Sequence, residues 1–71
     1  MRHYYARVDS DFYQFARRNA RDEFVRRTAP ARCPEAVRRG DPALEATLRA
    51  GRVIATLPWQ EQYHIDRRIT E

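Results

Sequence analysis

Apolar and polar residues alternate at the start of the chain, and then the period changes. In HYYARV, residues 3–8, Tyr4, Ala6 and Val8 fall on one face and His3, Tyr5 and Arg7 on the other. That period of two predicts a strand. The next segment, DSDFYQFARRNARDEFVRRT, reads differently. At about 100° per residue, Phe12, Tyr13, Phe15, Ala16, Ala20 and Phe24 gather in one half of a helix, opposite Gln14, Arg17, Arg18, Arg21 and Asp22. Asp9, Ser10 and Asp11 are candidate N-caps, and Pro30 stops the helix. Asp22–Arg26 and Glu23–Arg27 have the spacing of supporting pairs, and Arg26 and Arg27 suit the negative end of the helix dipole.

After the connector APARCP, PEAVRR predicts a short helical turn from Pro34 to Gly40. DPALEATLRAG predicts a second short helix, with Asp41 as cap, Pro42 at its first position and Gly51 as its left-handed end. Leu44 and Leu48, four apart, would face inward. The branched apolar run RVIATL predicts a strand, LPWQ a turn, and QYHIDRRI a last strand. The order is β-α-α-α-β-β. The expected fold is therefore α+β: a small antiparallel sheet of about three strands, covered on one face by one long and two short helices.

Length sharpens this picture. Seventy-one residues suggest a single domain over 1–71. A chain of that size buries only about 60% of the surface its unfolded form exposes. With one cysteine, Cys33, no intrachain disulfide can compensate. Association with a partner remains as a source of buried area, and a homodimer is one such partner. No apolar run approaches the roughly 20 residues of a membrane span, and the N-terminus lacks the apolar centre of a signal peptide. A cytoplasmic protein with no membrane partner is the expectation.

Charge narrows the chemistry. The net charge is +4, and all fourteen basic residues are arginine against ten acids. Without lysine there is no Schiff-base nucleophile and no phosphate loop of the usual kind. Both glycines serve to end helices. Cys33 has no second cysteine at ligand spacing, and its expected place is as a small core residue. No metal and no cofactor are expected.

Three surfaces remain. Residues 34–61 resemble a winged helix in element order, with LPWQE as the wing. The candidate recognition helix, however, offers Glu45, Thr47 and Arg49 and no amide side chain, so the stretch reads as scaffold. Arg17, Arg18 and Arg21 line one face of the long helix and suit phosphate or an acidic protein surface. Tyr5 and Trp59 are aromatic anchors for an interface, joined by Arg68 on the last strand. A third surface would pair His3, Tyr5 and Arg7 with residues of the last strand. There His64, with Tyr63, Arg67 and Arg68, has the residue types of an acid–base RNA-cleaving site.

The resulting expectation is a small non-catalytic binding protein, a regulator or inhibitor of phage or mobile-element type. It would dock on a larger protein with an acidic or phosphate-like surface, within nucleic-acid-handling machinery. Its contacts would be Arg17, Arg18, Arg21, Tyr5, Trp59 and Arg68. A nucleic-acid-binding regulator is the second reading and a small ribonuclease toxin the third.

Overall fold

In a computed structural model, residues 2–56 are described. They form β1 (Tyr4–Val8), β2 (Asp11–Phe15), α1 (Arg18–Arg27), a 3-10 turn (Pro30–Arg32), β3 (Glu35–Val37), α2 (Pro42–Arg49) and β4 (Ile54–Ala55). The described residues are α+β, with a four-stranded mixed sheet in the order β3-β1-β2-β4 and two helices. The expected turn at Trp59 and the strand carrying Tyr63, His64, Arg67 and Arg68 lie outside the described residues.

The first strand is where its alternation puts it, and Val8 pairs with Asp11 across a two-residue turn to begin β2. This hairpin replaces the first half of the expected long helix. Asp9 takes a left-handed φ of 56°, which an aspartate tolerates better than most residues. The Asp9 amide donates to the Arg32 carbonyl at 2.9 Å, and its carboxylate accepts from Arg32 Nε at 3.1 Å. The polar cluster 9–11 thus makes a turn instead of a helix cap.

Pairing across the hairpin sorts the side chains between two faces. Tyr5 lies opposite Gln14 and Arg7 opposite Phe12, while Tyr4 lies opposite Phe15 and Ala6 opposite Tyr13. Directly paired residues share a face. On one face Tyr5, Phe12 and Val37 pack with Leu44 of α2, joined by Leu48 and Val53. On the other, Ala6 and Phe15 pack with Ala20 of α1, joined by Tyr4, Tyr13, Phe24 and Val25. The helices therefore cover opposite faces of the sheet, not one face as expected.

β3 replaces the expected helical turn at 34–39. Val37 pairs with Tyr5 and Ala36 with Ala6, antiparallel to β1. With this change the winged-helix order loses its first helix. β4 is parallel to β2, Ile54 beside Tyr13, so β2, β3 and β4 run together against β1. The chain crosses from β2 to β3 through α1 and back from β3 to β4 through α2. Opposite directions over opposite faces give both crossovers the same hand, as the chirality of such connections requires.

α2 conforms to its local signals. Asp41 accepts from the Leu44 amide at 3.0 Å, and Pro42 holds the first helical position. At the other end Gly51, with φ of 69°, donates to Leu48 O at 3.1 Å, and Arg52 donates to Thr47 O at 3.0 Å. These two bonds form a Schellman motif. α1 begins without a side-chain cap and with no acid in its first turn. Its last turn carries Arg26 and Arg27, and it ends at Thr28, whose hydroxyl donates to Phe24 O at 2.7 Å. Cys33 is exposed, contrary to its expected place in the core. It closes the 3-10 turn in a left-handed conformation, φ 52°, at the surface. No helix among the described residues is long and apolar enough to cross a membrane.

Candidate functional site

The sheet topology gathers basic residues from three separate segments. β2 and β3 point the same way, so their carboxyl ends lie at one end of the sheet, beside the start of the antiparallel β1. The chain enters there with Arg2, His3, Tyr4 and Tyr5. α1 starts there with Arg18 and Arg21, and β3 ends there with Val37, Arg38 and Arg39. Together these residues line a groove of about 620 Å³ with a mostly polar wall. Of the nine described residues that line it, five are arginine and none is acidic, so they concentrate positive charge in the groove.

Two carboxylates that are not among the described lining residues pair with its arginines. Asp22 accepts from Arg21 Nε at 2.7 Å and lies 3.8 Å from Arg18 Nε. Glu45 accepts from Arg39 through both oxygens, at 2.7 and 3.0 Å, and from the Gly40 amide at 2.8 Å. The Arg39 guanidinium and the Gly40 amide hold the Glu45 carboxyl at about 2, below its ordinary 4.5. The same contact raises the pKa of Arg39, with a smaller contribution from Tyr5. Bidentate pairing of this kind fixes the plane of a guanidinium as well as its position.

Arg21 is the most enclosed of the five. Its side chain is 12% exposed, it donates to the Tyr5 carbonyl at 3.3 Å, and its guanidinium lies 5.7 Å from the centre of the Tyr4 ring. Arg2 lies over the same ring at 5.8 Å. Among the described residues, Arg2 and Arg38 have no carboxylate within ion-pair reach. The far end of β1 differs. There arginines and acids are matched, Arg7 with Glu35 at 3.3 Å and Arg32 with Asp9 at 3.1 Å. Among the described residues the groove therefore gathers more arginines without an opposing acid than the far end of β1 does.

Of the residues singled out from the sequence, Arg18, Arg21 and Tyr5 border the groove, and Arg17 does not line it. Arg17 is the exposed residue preceding α1. Tyr5 is only 5% exposed and belongs to the core under α2, which removes it as an exposed anchor. The reason is α2 itself: it covers the face on which Tyr5 and Arg7 were expected to meet solvent. Asp22 turns toward Arg18 and Arg21 instead of the expected Arg26, which pairs with Glu23 at 3.2 Å. Trp59 and Arg68 lie outside the described residues. Arg2, Arg38 and Arg39 were not anticipated, because strand pairing alone brings residues 2 and 38 together. The Arg38–Arg39 pair beside Gly40 was the one local signal available.

No family model, no curated protein and no solved structure matches the chain.

Proposed function

We propose that the protein is a small non-catalytic binding protein that regulates or inhibits a larger molecule by occupying its surface. The partner is a larger protein presenting an acidic or phosphate-like patch, of the kind found on nucleic-acid-handling machinery. One observation carries this reading: five arginines from three segments converge on one groove with no carboxylate among its described lining residues. Like charges gathered this way repel one another in the free protein, and a negatively charged partner relieves that repulsion. Arginine is also the cation favoured at the energetic centres of interfaces.

The test is affinity capture by the full chain after nuclease treatment, compared with a double charge reversal, Arg2→Glu with Arg38→Glu. The expected result is one protein retained stoichiometrically by the native chain and released by the variant, with circular dichroism unchanged. Capture that survives the reversal would exclude the groove as the docking site.

Direct nucleic-acid binding is the second reading, and the density of guanidinium groups in a mostly polar groove favours it. Its signature is a mobility shift that collapses with added salt as counterions compete for phosphate.

A further inference from the structure

We infer that the groove is a site for a small ligand carrying linked phosphate groups, and that occupancy by this ligand competes with docking of the partner. The inference rests on the reading of the groove as the binding surface and names its ligand chemistry. Three observations converge on it.

The first is size and wall chemistry. About 620 Å³ lies within the range of small-molecule sites. Those sites are usually apolar with a few polar groups, whereas this lining is mostly polar and basic. A ligand that fits must therefore bring charge in place of apolar surface.

The second is the division of labour among the arginines. Arg21 and Arg39 are hydrogen-bonded by Asp22 and Glu45 and form a positioned wall, while Arg18 stands 3.8 Å from Asp22 and is mostly exposed. Arg2 and Arg38, with no carboxylate partner among the described residues, keep their guanidinium forks for a ligand. Two such forks match the oxygen geometry of phosphate, and each phosphate in a chain offers a further set of acceptors.

The third is position. The groove lies outside the carboxyl ends of the parallel strands β2 and β3, from which the two crossover helices leave over opposite faces. In open α/β sheets ligands bind outside the carboxyl ends of neighbouring parallel strands. Here the antiparallel β1 lies between β2 and β3, and the likeness is one of strand ends and helix starts. Beside the groove, the first turn of α1 has neither a side-chain cap nor an acid, so its partial positive charge adds to that of the arginines.

The experiment is calorimetric titration of the full chain with inorganic tripolyphosphate at fixed ionic strength, beside titrations with citrate, a nucleoside triphosphate and a short single-stranded oligonucleotide. The expected result is saturable one-to-one binding of tripolyphosphate and of the triphosphate, each tighter than citrate. Arg38→Ala and Arg2→Ala should each weaken it about tenfold or more, as loss of a charge-assisted contact does. Arg52→Ala, removing an exposed arginine outside the groove, should leave it within about twofold. Equal binding of citrate, equal losses from all three variants, or an oligonucleotide that tripolyphosphate cannot displace would each overturn the inference. If tripolyphosphate fails to bind while partner capture still depends on Arg2 and Arg38, this inference falls and the docking reading stands. If tripolyphosphate binds and capture ignores both residues, the docking reading and the proposed competition fall, and the phosphate site alone stands.

Discussion

Glu45 grips Arg39 with both carboxylate oxygens and takes the Gly40 amide as a third donor. The carboxylate thereby ties the loop after β3 to the start of α2 and sets the plane of a groove arginine. Because its pKa is lowered from 4.5 to about 2, the sign of the pH dependence follows. The unfolded chain binds this proton more readily than the native one. The stabilisation is complete above the unfolded value and is lost as pH falls from about 4.5 toward about 2. Melting temperatures measured from pH 7 to pH 2 should show Glu45→Gln less stable at neutral pH. The gap between native and variant should close across that window. A constant gap would mean that the charge of Glu45 contributes nothing.

The hairpin turn offers a test of backbone conformation. A β-branched residue at Asp9 meets the steric cost of left-handed φ and also loses the contact with Arg32. Asp9→Val should lower stability by about 1–2 kcal/mol in urea denaturation. Asp9→Gly, which relieves the conformational cost while losing the same exposed pair, should stay within about 1 kcal/mol of the native chain. Equal losses from both would mean that the ion pair, and not φ, governs the turn.

What the sequence makes legible here depends on how local the determining interaction is. α2 can be drawn residue by residue because Asp41, Pro42 and Gly51 act on their own neighbours. β1 is legible because its alternation extends over six residues. β2 is not, and the reason lies in the packing. With a helix on each side of the sheet, Phe12 is buried on one face and Phe15 on the other. A strand buried on both faces loses its alternation, and the spacing of Phe12, Phe15 and Ala16 then imitates a helix. The turn adds to the ambiguity, since Asp and Ser serve turns and helix caps equally well. In β3 three residues are too few to show any period, and pairing with β1 decides their conformation. The groove shares this limit: Arg18 and Arg21 share a helix face, but Arg2 and Arg38 meet only through the sheet.

Ring packing distinguishes the strand from the helix that the pattern imitates. The Phe15 and Phe24 rings lie 5.1 Å apart on the α1 face, while Phe12 belongs to the cluster under α2. A double-mutant cycle on Phe15→Leu and Phe24→Leu should give a coupling of about 0.5–1.5 kcal/mol. The Phe12→Leu and Phe24→Leu cycle should be additive within about 0.5 kcal/mol. Additivity in both cycles is what a continuation of α1 through residues 12–15 would give, because a rise of about 1.5 Å per residue would part both rings from Phe24.

Arg21 and Arg18 look alike in the sequence and sit in different surroundings. The Arg21 side chain is 12% exposed, donates to the Tyr5 carbonyl and meets the Tyr4 ring, whereas that of Arg18 is 73% exposed. Lysine cannot reproduce a planar group that bonds along one edge and stacks along its face. Arg21→Lys should therefore destabilise the fold by about 1 kcal/mol or more, through the lost hydrogen bond and ring contact. Arg18→Lys should change stability by less than about 0.5 kcal/mol. Urea midpoints measured at low and at high salt separate the causes: the Arg21 loss should persist in salt, because short contacts of an enclosed group are screened much less than those at an open surface. A loss at Arg21 that vanishes in high salt would return this residue to the exposed basic face on which the sequence pattern places it.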